Sequence, residues 1–155
     1  RVAGDAMDEA IVNAFKLDYN LAIGDTTAEE IKMKIGSAYQ DEEFDKKTLD
    51  VRGRDLVMGL PKTITVSAKE IRKILKPVVD LILDAIRYTL ERTPPELASD
   101  LMRRGLLLSG GGALLHGMDK QISKVTGMSV IIPENPLTVV AVGAGKYLDY
   151  ISKNK

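Results

Sequence analysis

The residues best placed to do chemistry fall in two short stretches. Ser109-Gly110-Gly111-Gly112-Ala113 stands between the apolar run Leu106-Leu107-Leu108 and a segment of helical pattern. Three successive residues without Cβ atoms let a ligand touch the backbone, and the exposed N–H groups of such a turn suit anionic or polar groups. No Gly-Lys-Ser or Gly-Lys-Thr follows, so this is not a P-loop, and Gly110 to Leu115 lacks the third small residue of a dinucleotide fingerprint. Taken alone, the turn has two readings: a tight structural turn, or a loop that holds a nucleotide.

The second stretch is Glu29, Lys32 and Gly36, at i, i+3 and i+7 of a helical segment. At 100° per residue they lie within about 60° of one another, beside the Ile31 and Ile35 stripe, and are expected to share an exposed edge. Again two readings stand. One is a surface salt bridge with an incidental glycine; the other is a carboxylate and an ammonium holding a ribose or adenine edge while glycine gives room. His116 has no carboxylate or nucleophile placed with it by sequence and receives no role. The pairs Asp5/Asp8 and Asp80/Asp84, one helical turn apart, suit a cation in principle, but first-turn capping and exposed charge account for them more simply. Ala141, Gly143, Ala144 and Gly145 are expected to permit close helix packing.

These groups must be held by elements that the pattern of the chain predicts. Asp5 to Asp18 reads as a helix with Ala6, Ala10, Ile11, Ala14 and Phe15 at helical spacing. Thr26-Thr27-Ala28-Glu29 has the form of a capping box and opens a second helix to about Ala38, with Ala28, Ile31, Ile35 and Ala38 inward. Gln40 to Lys47, rich in acids, reads as a solvated loop. Thr48 to Asp55 and Thr63 to Val66 form a hairpin around Met58-Gly59-Leu60-Pro61. Ser67-Ala68-Lys69-Glu70 caps the longest helix, which carries Ile71, Ile74, Leu75, Val78, Val79, Ile82, Ala85, Ile86 and Leu90 on its buried side, with Pro77 as a point of bending. A short helix follows Thr93-Pro94-Pro95. The strands Leu106–Leu108 and Met128–Ile132 then alternate with helices over 115–125 and 137–151, the last capped by Asn135, an order that favours a sheet covered by helices.

Composition removes several functions. The 155 residues contain no cysteine and one histidine, so there is no disulfide framework, thiolate site, Cys nucleophile or His-based metal cluster. The 22 basic and 22 acidic side chains cancel, and 5 Tyr, 2 Phe and no Trp give neither the charge nor the stacking surface of a nucleic-acid binder. The longest stretch without a charged residue, Gly105 to Met118, is 14 residues, short of the roughly 18 that cross a bilayer. Nothing resembles a signal segment, and the start at Arg1 leads to the expectation of a piece of a longer protein. Charge is nevertheless split: residues 1–60 carry 8 basic and 13 acidic side chains, and residues 61–155 carry 14 and 9. Solvated faces explain that split, as does a module whose two ends attract unlike neighbours.

The order of segments is recognisable. Arg1-Val-Ala-Gly-Asp-Ala-Met-Asp-Glu-Ala-Ile11, Ile35-Gly-Ser-Ala38, Val51-Arg-Gly-Arg-Asp-Leu56, Gly59-Leu-Pro-Lys-Thr63, Thr93-Pro-Pro-Glu-Leu97 and Ser109-Gly-Gly-Gly-Ala-Leu-Leu115 together resemble the MreB family, the bacterial actin-like cell-shape proteins. The likeness covers essentially the whole chain but only the C-terminal part of the family. It implies an α/β fold, the second lobe of the actin-like (ribonuclease H-like) ATPase fold, in part. A sheet-and-helix base subdomain would combine residues 1–12 and 67–155, and a smaller α+β outer subdomain would span residues 13–66.

The resemblance also implies function. Adenosine contacts carry over to Glu29, Glu30, Ile31 and Lys32, with Gly36 facing the base, and to Gly110, Gly111, Gly112 and Ala113. ATP or ADP with Mg²⁺ is the implied cofactor of the parent, a slow ATPase. This chain alone is expected to bind nucleotide weakly or not at all and to be inactive, because neither of the family's two phosphate loops occurs in it. Implied partners are further copies in head-to-tail filaments and other cell-shape and membrane-associated proteins, in the cytoplasm beneath the membrane, with no nucleic acid and no transmembrane segment. Glu30, Asn135 and Val139 depart from the family's common arginine, aspartate and cysteine. A second reading is the ATPase-lobe fragment of an Hsp70-like nucleotide switch, against which Val51 to Leu56 and Thr93 to Leu97 speak.

Overall fold

A computed structural model describes residues 2–108 and 115–132, with side chains from Gly4 onward. The candidate residues Gly110, Gly111, Gly112 and Ala113, and the helix expected over 137–151, lie outside the described residues. The elements in order are α1 (Val2–Tyr19), β1 (Leu21–Ala22), α2 (Asp25–Ile35), α3 (Glu42–Asp45), β2 (Thr48–Asp55), β3 (Pro61–Ser67), α4 (Ala68–Glu91), α5 (Pro95–Arg104), β4 (Leu106–Leu107), α6 (Met118–Thr126) and β5 (Val130–Ile131).

The apolar stripes do what their spacing predicts. α1 turns Met7, Ile11 and Phe15 fully inward, with Ala6, Ala10 and Ala14 half-buried beside them. α2 buries Ala28, Ile31 and Ile35. α4 buries Ala68, Ile71, Leu75, Val79 and Leu83, with Ile74, Val78, Ile82 and Ile86 packed against the same core. Each such aliphatic side chain contributes about 1.5–3 kcal/mol by leaving water. The core continues from these helices through Val51 and Val66 of the hairpin to Leu115, Met118 and Ile122.

Two sheets form around it. β1-β2-β3 is antiparallel, with Leu21 opposite Asp55, and Thr48 opposite Ser67 through Arg54 opposite Pro61. β4 and β5 are parallel, Leu106 opposite Val130, and the chain between them contains α6, as a crossover between parallel neighbours requires.

Local departures from the sequence reading have identifiable causes. The Ser67/Glu70 capping box forms in full, and α4 continues through Pro77. The Thr26/Glu29 box does not form: α2 is capped two residues earlier, by Gly24 without a side-chain bond, so Thr26 and Glu29 both fall inside the helix. The acidic segment after Gln40 is not simply a solvated loop. Asp41 caps α3 by accepting from the Glu43 and Phe44 N–H groups, and Asp45 pairs with Arg72 of α4 at 2.9 Å. β1 was not expected. A Cβ on Gly53 would stand 2.5 Å from the Ala22 carbonyl oxygen and 2.8 Å from the Leu21 side chain, so this glycine is what lets β1 lie against β2. α5 starts behind Pro94 as expected, and α6 starts at Met118, later than the predicted Leu115.

Candidate functional site

α2 and the segment Leu115–Gly117 are the described parts of the candidate site, and the backbone joins them. Gly36 ends α2, its N–H donating to the Lys32 carbonyl at 2.9 Å. The next residue, Ser37, makes a parallel bridge with His116. Ala38 N–H donates to the His116 carbonyl at 2.8 Å, and His116 N–H donates to the Gly36 carbonyl at 3.3 Å. A Cβ on Gly36 would lie 2.7 Å from Leu115 Cδ1. The absence of a side chain at Gly36 therefore sets how closely α2 approaches the residues that follow the glycine triplet in the chain.

The four α2 candidates point in different directions. Ile31 is fully buried, so its side chain positions the helix in the core. Glu30 lies on the outer surface and pairs with Lys34 at 2.6 Å. Glu29 is exposed and lines a cleft of about 460 Å³ with Asp5, Asp8, Val12, Asp25 and Thr26. Lys32 is not on a shared exposed edge, nor is it bridged to Glu29. Its ammonium sits 2.9 Å from Asp8 Oδ1, with side chains only 12% and 17% exposed, and it also donates to the Gly4 carbonyl at 3.4 Å. Helical spacing alone had no view of α1, which covers this side of α2.

Chemically, the cleft is lined among the described residues by hydrogen-bond acceptors, and Lys32 reaches it through its pair with Asp8. Carboxylates there receive hydroxyl or amino protons and repel free phosphate oxygens. Among the described residues no group of three or more acidic or histidine side chains is arranged to hold a metal ion.

His116 is the residue that sequence reasoning missed. Its Nε2 lies 3.0 Å from Asp41 Oδ2, and its ring stacks on Phe44 with centroids 3.8 Å apart and planes 5° from parallel. The hydrogen bond with His116, and then the Phe44 and Glu43 N–H groups, hold the Asp41 carboxyl below its ordinary range against a smaller opposing effect of burial. Nothing in the spacing of positions 41 and 116 signals that pairing.

A family model described as MreB/Mbl protein matches residues 1–155. The chain belongs to the MreB/Mbl family. It is 43% identical over 153 residues to the cell shape-determining protein Mbl of Bacillus subtilis, covering 99% of this chain and 45% of that protein. It is 45% identical over 151 residues to the cell shape-determining protein MreB of Escherichia coli, covering 97% and 43%. Among solved structures, MreB5 of Spiroplasma citri bound to AMPPNP superposes with a TM-score of 0.86 at 37% identity, over 97% of this chain and 45% of that one; the ADP-bound form gives 0.87. The MamK double helical filament, at 16% identity and a TM-score of 0.61, shares the fold. The chain thus spans less than half the length of the curated relatives it matches. The resemblance drawn from the segments and the actin-like fold class both hold, and the match to cell-shape proteins decides against the Hsp70-like alternative. No described helix is long and apolar enough to cross a membrane.

Proposed function

We propose that this chain is the second-lobe portion of a filament-forming, ATP-binding cell-shape protein, supplying the adenosine side of its nucleotide cleft. The observation that carries the reading is the backbone junction between Gly36–Ala38 at the end of α2 and Leu115–His116. It draws the Glu29/Lys32 helix to the segment that Gly110, Gly111, Gly112 and Ala113 enter. Relatives solved with AMPPNP and ADP support the ligand class. In this reading Glu29 and Lys32 receive the nucleoside, Glu30 and Ile31 complete the helix that presents them, and the glycines give backbone access. The acceptor-rich cleft suits a ribose or an amino group, so the phosphates and Mg²⁺ belong with the first lobe, which would also carry slow ATP hydrolysis.

The two sheets support a division into an outer subdomain, residues 13–66, and a base formed by residues 1–12 and 67–155, with apolar packing continuing across the junction. The protein would work in the cytoplasm beneath the membrane, among other cell-shape and membrane-associated proteins. Head-to-tail stacking needs two unlike ends. The hairpin turn offers one: Leu56, Val57, Met58 and Leu60 are exposed on a turn fixed by the Val57 and Met58 N–H groups donating to Asp55 Oδ1.

Titration of the full-length protein with a fluorescent ADP analogue tests the ligand assignment. Lys32→Ala and Gly111→Val should weaken binding, Gly111→Val more strongly, because a branched side chain would block approach to the backbone. Unchanged affinity in both would sink the assignment.

A further inference from the structure

We infer that His116 is a positioning residue of this cleft: its side chain fastens the segment leaving the glycine triplet to the cap of α3. The inference rests on the adenosine reading of α2 given above.

The Ser37–His116 bridge holds the end of α2 to this segment by two backbone hydrogen bonds, at 2.8 and 3.3 Å. The imidazole supplies a second, separate anchor through Asp41, at 3.0 Å. Asp41 already meets the cap of α3 with its other oxygen, Oδ1, so capping alone does not call for a histidine. Phe44, inside α3, lies flat on the ring at 3.8 Å and fixes its plane. α3 in turn is tied to α4 by Asp45 and Arg72. Gly117, with φ +74°, would bring a Cβ to 2.5 Å from Tyr39 Cβ, so the chain beyond His116 is also held close to the α2–α3 connection. The result is a continuous path from α4 through α3 to His116, and from there to Gly36 at the foot of the Glu29/Lys32 helix.

Charge strengthens the anchor. Among the described residues, the charged groups recorded at this stack are Asp41 and Lys47, whose ammonium is 4.7 Å from the Phe44 ring centroid. A little further off, Lys120 of α6 lies 5.9 Å from the Tyr39 ring. Asp41 is the group in direct contact. An imidazole N–H that donates to its carboxylate makes a charge-assisted bond, and such bonds are roughly twice as strong as neutral ones.

The test is equilibrium binding of a fluorescent ADP analogue to the full-length protein and to His116→Ala, His116→Gln, Asp41→Asn, Lys32→Ala and Gly111→Val, each first checked for folding by its melting temperature. Asp41→Asn retains a carbonyl oxygen for the α3 cap, which separates the anchor from the cap, and His116→Gln retains an N–H donor for Asp41. His116→Ala and Asp41→Asn should bind roughly two- to tenfold more weakly than the parent, the effect of one hydrogen bond, and His116→Gln should recover part of that loss. Amide exchange at Ala38, whose N–H donates to the His116 carbonyl, should also quicken in His116→Ala. If Lys32→Ala or Gly111→Val weakens binding while His116→Ala and Asp41→Asn match the parent, the positioning role is wrong and the adenosine reading stands. If Lys32→Ala and Gly111→Val both bind normally, the adenosine reading fails and this inference with it. A His116→Gln variant as weak as His116→Ala would overturn the role of the donor.

Discussion

Lys32 Nζ stands 2.9 Å from Asp8 Oδ1, across the contact between α2 and α1. The pair connects the helix proposed to meet the nucleoside with the helix that opens the chain. Because both side chains are largely covered, removing one leaves the other poorly solvated, at a cost of about 1–3 kcal/mol. Lys32→Ala and Asp8→Ala are each expected to lower stability by that order in chemical denaturation. The double variant should cost less than the two single losses combined, since neither charge is then left alone. Strict additivity would show that the ion pair is not coupled.

Gly36 gives a second prediction. Its φ of −68° and ψ of 136° are open to any residue, so the constraint is spatial. An added Cβ would stand 2.2 Å from the Lys32 carbonyl oxygen as well as 2.7 Å from Leu115 Cδ1. Gly36→Ala should destabilise by about 1–3 kcal/mol, the usual range for overpacking, and should loosen the Ser37–His116 bridge, visible as faster amide exchange at Ala38. Gly24→Ala, which meets nothing within 4 Å, is the control and should leave that exchange unchanged.

The elements that the sequence made legible are those whose pattern is local and repeated. α4 could be read from its stripe and from Ser67 and Glu70, which find each other three residues apart. The hairpin could be read from alternation, and β2 has the predicted bounds, Thr48–Asp55. What escaped was set by partners distant in sequence. β1 is too short to alternate, and its only trace was Gly53, a glycine inside a strand pattern. Helical spacing puts Lys32 on its helix but not in its surroundings, because Asp8 belongs to another helix. Local sequence shows Asp41 and Asp45 only as charges, whereas one caps a helix and holds His116 and the other pairs with Arg72. The spacing of Glu29, Lys32 and Gly36 named a helix face; only tertiary packing showed that one is exposed, one is paired and one is buried.

Acid should weaken the fold through two carboxyls in particular. Asp41, bonded first to His116, and Asp55, bonded first to the Met58 and Val57 N–H groups, are both held below the ordinary carboxylate range in the folded state. A carboxyl lowered in the folded state contributes stability that is fully present above its unfolded value and is lost as pH falls through the folded one. Urea midpoints should therefore hold steady for these groups above about pH 5 and decline below pH 4. Asp55→Asn and Asp41→Asn should each flatten part of that decline. A parallel, undiminished decline in both variants would assign the acid sensitivity to other groups.

Assembly has two candidate drivers, the charge split and the exposed hairpin turn. The charge split between residues 1–60 and 61–155 includes Asp41, Glu42, Glu43 and Asp45, but Asp41 and Asp45 are committed inside the molecule. Of the four, Glu42 and Glu43 remain to act on a neighbour without disturbing α3, Glu43 making only an exposed pair with Lys46 at 3.7 Å. The hairpin turn, by contrast, presents Val57 at 76% and Met58 at 69% exposure, on a rigid loop. Among the described residues, a second exposed apolar surface lies at the α4–α5 corner, where Tyr88 and Leu97 are exposed, at the far end of the 24-residue α4. Exposed ion pairs contribute roughly 0–1 kcal/mol each, while burial of apolar side chains holds a contact together. In full-length protein, Val57→Ser with Met58→Ser should raise the critical concentration in ATP-dependent sedimentation severalfold, with little change in its salt dependence. Glu42→Gln with Glu43→Gln should change the salt dependence more than the critical concentration itself. If the turn variants sediment like the parent, the hairpin is not the assembling end, and the exposed apolar turn requires a different partner.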